Sequence, residues 1–262
     1  MSAARTNLSS SSVRIHQNQH LGEGQFRICC AGTYVGGTRN QQAAACKRFK
    51  PRYASLEREF YDIDDKIVQK TIYFAEDWNR FCPEGREIMV NSGWTTNSNG
   101  ITYQVEPLIR YFTKFTSNNG FIDNSQGMAG EIMEAFCHFT YHRSGGQMIV
   151  CDLQGRYRFN RYQRSKSRFE LTDPAICSRW RNYGPTDLAE KGIETFFHNH
   201  VCNRHCQSHW ASPNFTRNWF VSNSTTTMMG SNMTGYLNTS NNTRFTSTLQ
   251  PVYGDDSDDS DY

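Results

Sequence analysis

The chain has 262 residues, a formal net charge of +3 and 13% aromatic residues. That length admits one large domain or two small lobes, and the aromatic content excludes a chain disordered throughout, because such chains are poor in aromatics. No apolar run approaches the ~18–20 residues of a membrane span, and the Ser-rich start lacks the apolar core of a signal peptide, so a soluble, cytoplasmic protein is expected.

Residues 1–18 are rich in Ser, Asn and Gln and are read as a disordered arm. From His20 to Lys50 the pattern predicts strands around a Gly-rich turn at Gly22 and Gly24. Backbone N–H groups there could approach a phosphate, with Arg27 adding charge; a Gly-rich hairpin without a ligand fits equally well. Lys47 follows an apolar strand and could reach a triphosphate as a point charge, or lie solvated on a sheet edge. Phe60, Ile63, Ile67, Phe74, Trp78 and Phe81 step at helical spacing and form one apolar stripe. Ile88–Val90 and Ile101–Val105 predict short strands.

Gly120 to Gly127 reads as a loop, and Met128, Ile132, Phe136 and Phe139 as a second helical stripe. Gln147 to Asp152 predicts a buried strand ending in a carboxylate. Alternation places Asp152 and Gln154 on one side, with Gly155 permitting a sharp turn. Asp173, in Leu171-Thr172-Asp173-Pro174, offers a second carboxylate. Two carboxylates and an amide oxygen suit magnesium, a hard ion that prefers oxygen; two Asp residues capping loops would look the same. Arg156 to Arg168 is a basic insert interleaved with Tyr157, Phe159, Tyr162 and Phe169. That mixture suits single-stranded nucleic acid or a docking surface for an acidic substrate; the near-balanced net charge argues against nucleic acid, and a solvated loop is the plain reading.

Leu188 to His200 predicts a third helix, at whose end His200, Cys202 and Cys206 form H-x-C-x3-C. Thiolate and imidazole are zinc's preferred ligands, and a closed site needs four. His138 on the preceding helix is the leading fourth candidate, with His198, His205 and His209 as rivals; ordinary buried thiols remain the plain alternative. The nine Cys are scattered rather than framed, which favours metal over disulfides. Beyond about residue 212 the chain turns Ser/Thr/Asn-rich and ends in an acidic run. Residues 213–262 are therefore read as a disordered tail, with Ser224 to Thr227 as possible phosphoacceptors.

Taken in order, these segments resemble the alpha-kinase family. The matching text is Gly22 to Arg27, Ala45 to Phe49, Val105 to Ile109, Phe112 to Phe115, Asn118 to Gly120, Glu134 to Tyr141, Val150 to Gly155, Leu171 to Pro174 and Gly192 to Cys206. The resemblance implies an α+β, two-lobed protein-kinase-like fold over residues 19–212. Its N-lobe, about 19–106, would be mostly an antiparallel sheet; its C-lobe, about 107–212, would be mixed and carry a structural zinc. It further implies an ATP- and Mg2+-dependent protein serine/threonine kinase with a protein substrate. Arg27 and Lys47 would be phosphate contacts, beside Gly22 and Gly24. Glu106 would lie on the hinge, with Lys114 and Asn118 in the cleft. Asp152 would be the catalytic aspartate, and Gln154 and Asp173 magnesium ligands. His138, His200, Cys202 and Cys206 would hold the zinc.

Two departures stand out. Arg156 to Arg168 lengthens the stretch between Asp152 and Asp173. The family's G-x-x-N-x-G-x-x-G reads here with Asp187 for Asn and Ala189 for Gly. A carboxylate added near phosphates would cost a few kcal/mol at an effective dielectric near ~20, which leaves an impaired pseudokinase or zinc-stabilised binding module as the alternative.

Overall fold

The computed structural model describes residues 2–5, 12–24, 26–81, 86–163 and 167–228. The strands are β1 (Ala4–Arg5), β2 (Ser12–Glu23), β3 (Arg27–Val35), β4 (Ala43–Phe49), β5 (Glu87–Asn91), β6 (Trp94–Ser98), β7 (Ile101–Pro107), β8 (Thr113–Lys114), β9 (Met148–Cys151), β10 (Gln154–Arg158), β11 (Arg168–Thr172) and β12 (Ala175–Ser178). Three helices accompany them: α1 (Glu57–Phe81), α2 (Met128–Arg143) and α3 (Ala189–Asn199).

One sheet is antiparallel throughout, in the order β2-β3-β4-β7-β6. Period-two alternation turns Tyr103 and Val105 of β7 inward against Tyr34, Ala44 and Cys46, building a small core. The second sheet is mixed, β1-β5-β11-β10-β8, and β9 and β12 form a separate antiparallel pair. Around them lies the larger core. The α1 stripe delivers Ile67, Phe74 and Trp78 to it, with the Trp78 ring edge-on to Phe136 and Phe139 of α2 at 5.6 and 5.4 Å. The stripe stops at Trp78: Phe81 is exposed and lies under the Arg80 and Arg143 guanidinium groups. α2 is buried from Ile132 to Tyr141 without a break, so it is the central helix of this core rather than a half-exposed one.

Four expectations need correction. The arm is structured where it is described: Ala4 and Arg5 add a parallel strand beside β5, Ala3 is buried, and β2 begins at Ser12, pairing with Val35. Polar composition misled because β2 is a sheet edge with a largely exposed face. Nor do the lobes divide the sequence at 106/107. α1 and β5 precede that point, yet their apolar residues join the core of α2, and β5 pairs with β11.

The basic insert is the β10–β11 hairpin, and three of its arginines are tied to one carboxylate. Arg156, Arg168, Arg158 and Arg5 converge on the fully buried Glu170 at 2.7, 3.2, 3.5 and 3.6 Å. Tyr157 packs on Phe169, leaving Phe159 and Tyr162 exposed; Arg164 and Lys166 lie outside the described residues. The tail, finally, does not leave the fold at 213. Residues 219–227 run back over α3 and the Ser117–Asn119 turn, held by hydrogen bonds. The expectation for 229–262 lies outside the described residues.

Candidate active site and metal centre

β4 carries Lys47 out of the small sheet toward the β11–β12 turn. Its ammonium, nearly buried, contacts Glu106 of β7 at 2.6 Å and Asp173 at 2.6 Å, and donates to Thr172 Oγ1 at 3.3 Å. Thr172 in turn donates to Glu106 at 2.6 Å. Burial depresses the lysine's pKa, but the Asp173 and Glu106 charges outweigh it, and the net shift is upward. Lys47 is thus a fixed cation bridging the two sheets. Arg27 pairs with Asp64 and donates to Gln104 at 3.1 Å, with its guanidinium 4.8 Å above the Phe49 ring. Gly22 sits in β2 opposite Cys29, and Gly24 bonds across the hairpin to Arg27 O at 2.9 Å.

Beside Lys47 stands a second charged set. Lys114 of β8 meets Asp152 at 2.5 Å and Gln154 Oε1 at 3.5 Å, while the Gln154 amide donates to Asp173 O at 3.0 Å. The expected Asp152, Gln154 and Asp173 are therefore neighbours. Asp152 and Asp173 both adopt left-handed backbone, φ 59° and 48°, conformations that cost non-glycine residues energy and cluster at functional sites. Gly155 is not the turn residue expected. It lies inside the sheet between Leu171 and Thr113, at φ 148°, where a Cβ would come within 2.0 Å of Glu170 O. Only glycine admits that approach.

Asn118 is where the cleft was expected, but its amide is engaged with peptide groups. It donates to Thr227 O at 2.7 Å and Thr186 O at 2.8 Å, and accepts from Thr227 N at 2.8 Å. Next to it Thr226 donates its hydroxyl to Asp152 Oδ2 at 2.6 Å and lies 3.3 Å from Lys114. Thr172 and Asn119 are site residues that the sequence offered only inside the Leu-Thr-Asp-Pro and Asn-Asn-Gly text. Thr226 was marked only as one of four hydroxyls in a polar run, with nothing local to place it beside Asp152.

Asp187 faces its own loop. Buried, it accepts from Ser178 N, Ser178 Oγ, Tyr183 N and Ala189 N at 2.8, 2.5, 3.2 and 2.9 Å. An amide, with one oxygen, could not accept all four on its two terminal atoms. The carboxylate is thus engaged by donors of its own loop rather than aimed at the cleft.

Four residues, His138 of α2 and His200, Cys202 and Cys206 just beyond α3, build the other constellation around a single point. His138 Nδ1 lies 3.1 Å from His200 Nε2 and 3.6 Å from Cys202 Sγ. His200 Nε2 lies 3.5 Å from Cys202 Sγ and 3.8 Å from Cys206 Sγ, and all four ligand atoms fall within 4.8 Å of one another. Bond lengths of ~2.0–2.1 Å to nitrogen and ~2.3 Å to sulfur put tetrahedral zinc ligands about 3.3–3.8 Å apart, so the set fits. The far ring nitrogens are held as metal-binding histidines require: His200 Nδ1 by Glu134 at 2.6 Å, and His138 Nε2 by Ala211 O at 3.1 Å. Burial and the adjacent His200 push His138 down to about 4, keeping it neutral and able to ligate. The rivals His198, His205 and His209 are outside this set.

The family model that matches is the alpha-kinase family, over residues 22–206. Eukaryotic elongation factor 2 kinase of Rattus norvegicus is 36% identical over 205 residues, covering 75% of this chain and 26% of its own length. The Caenorhabditis elegans enzyme is 27% identical over 202 residues, covering 75% and 24%. The chain thus spans about a quarter of the length of these relatives. Among solved structures, an alpha kinase from Entamoeba histolytica superposes with a TM-score of 0.63 at 22% identity, covering 83% of this chain and 85% of its own. The alpha-kinase domain of myosin-II heavy chain kinase A in complex with AMP-PNP gives 0.61 at 22%, covering 77% and 89%. A family match over most of the chain, carried on the same fold, means that this protein belongs to the alpha-kinase family.

Proposed function

We propose that the chain is an ATP-dependent protein serine/threonine kinase. One observation carries this reading: Lys47, Glu106, Asp173, Gln154, Lys114 and Asp152 form one continuous polar set where the two sheets face each other. Phosphoryl transfer is mostly positioning and charge neutralisation, and this set has parts for both. Lys47 and Arg27 offset triphosphate charge, Asp152 orients and receives the proton of the attacking hydroxyl, and Glu106 lies toward the hinge. Asp173 and Gln154 supply oxygen donors for magnesium, which when bound would neutralise charge developing on the phosphates. The complex of myosin-II heavy chain kinase A with AMP-PNP, on the same fold, supports a nucleotide in this cleft. The test is phosphate transfer from Mg-ATP to a basic protein substrate; wild type no more active than Asp152→Ala would refute it.

The pseudokinase alternative rested on Asp187 and Ala189; the inward-turned, hydrogen-bonded carboxylate speaks against the first motive, while Ala189 holds left-handed backbone, φ 58°, at the position where the family pattern has glycine. For the His138, His200, Cys202 and Cys206 cluster we infer a structural zinc, since the protein itself supplies four ligands and leaves no position open. Elemental analysis of purified protein should give close to one zinc per chain.

A further inference from the structure

The arginines around Glu170 carry more charge than one carboxylate can neutralise. Setting Arg158 aside, Arg5, Arg156 and Arg168 bring three positive charges to a single negative one. Arg156 and Arg168 open and close the stretch that lengthens this chain relative to the family pattern. We propose that Arg5, Arg156 and Arg168 form an oxyanion site, separate from the candidate active site, that takes a phosphate group either free or as a small monoester.

Donors for such a group are present and reachable. Arg156 meets Glu170 through Nε at 2.7 Å, and its two terminal nitrogens have no hydrogen-bond partner among the described residues. Arg168 donates from Nε and Nη2 to the other carboxylate oxygen at 3.3 and 3.2 Å, which leaves Nη1. These side chains are 21% and 41% exposed, whereas Arg5, at 12%, and the wholly buried Glu170 form the floor. Arg5 is anchored there by donating from Nη1 to Asn91 Oδ1 at 3.0 Å. Burial and the Arg39, Arg156 and Arg168 charges bring Arg5 down to about 10 despite Glu170, as under-compensated positive charge requires. On the small sheet, the Tyr34 hydroxyl is buried with no hydrogen-bond partner among the described residues, and the charges of Arg39 and Arg5 act on it.

The surplus of two positive charges matches a phosphate dianion, and guanidinium forks fit its oxygens in bidentate pairs. A nucleic-acid strand needs basic groups spaced along a track; these converge on one point. β10 and β11 pair Arg156 with Glu170 and Gln154 with Thr172, and alternation puts all four on one face of the sheet. A bound phosphate would therefore sit two residues along β10 from Gln154. Through Arg5 it would tie the two-residue strand β1 to the ladder that carries this amide.

The test is isothermal titration of the purified full chain with inorganic phosphate, with ionic strength held constant by chloride. Arg156→Met and Arg168→Met should each weaken binding about 10-fold or more, the effect of one charged hydrogen-bonding partner. Lys47→Met should retain this binding, which separates it from any phosphate in the cleft. Glu170→Gln removes the competing carboxylate, so it should bind phosphate more tightly than wild type, and phosphate should restore thermal stability that this variant loses. Titration with phosphoserine in parallel identifies the source: tighter binding than inorganic phosphate assigns a monoester, weaker binding the free anion, and either supports the site. Phosphate binding that is absent, unchanged by both arginine substitutions, or lost in Lys47→Met overturns the proposal. If the arginine variants do not fold, Glu170→Gln decides: affinity no higher than wild type, or stability restored equally by chloride, overturns it.

Discussion

Lys47 holds two carboxylates from different elements, and its removal is the most direct residue-scale test. Lys47→Met should lower kcat by about 10²–10³-fold, the usual loss when a charge-stabilising donor is removed. It should also lower stability, because Glu106 and Asp173 lose their shared cation. Measuring kcat and the thermal midpoint together separates the two effects. Gly155→Ala addresses a different constraint. Its Cβ would sit 2.0 Å from Glu170 O, and the backbone of β11 cannot give way without breaking the ladder, so the unfolding free energy read from denaturant titration should fall by several kcal/mol. At this scale the sequence was informative wherever chemistry resides in residue type. Asp152, Gln154 and Asp173 were found from strand ends and turns, and the structure makes them neighbours. Gly155 was noticed for its residue type but assigned the wrong reason, because the clash that demands glycine comes from a strand paired across the sheet.

Among the elements, the β10–β11 hairpin is the instructive one. Glu170 is wholly buried under arginines from three strands. Burial pushes its pKa up, but Arg5 and Arg156 pull it down further, and the net value lies below that of an ordinary glutamate. A group with a depressed folded pKa contributes stability that is complete above its unfolded value and is lost as pH falls through the folded one. Stability of the wild type should therefore drop with acidification below about pH 4.3. Glu170→Gln should be less stable at neutral pH and show a shallower acid limb; chemical unfolding at pH 3, 4, 5 and 7 reads this directly. Helices were legible from spacing, since apolar stripes repeat along one segment. The edge strand β2 and the two-residue β1 were not, because exposed edge strands carry no apolar alternation and β1 exists only through its partner β5.

Across the whole molecule, the metal cluster ties the buried α2 to the segment after α3. Chelation of a bound zinc should release residues 200–212 together. A loss of even ~5 kcal/mol would lower the melting temperature by about 10–20 °C in a domain of this size. Differential scanning calorimetry with and without chelator checks this. Glu134→Gln, which weakens the carboxylate behind His200, should reduce zinc affinity about 10–100-fold without removing a ligand, as competition with a chromogenic chelator would report.

Residue types, their order and their periodicity belong to the chain alone. They were enough to identify the family, the three helices, the H-x-C-x3-C set and the carboxylates, because each is encoded within a few consecutive residues. Which elements share a core, why Glu170 needs four arginines, where Asp187 points and what the tail covers were decided only by tertiary packing. Those relations join positions as distant in the chain as Arg5 and Glu170, and a contact over such a span is selected by the burial and hydrogen bonding of the folded whole, not by local sequence.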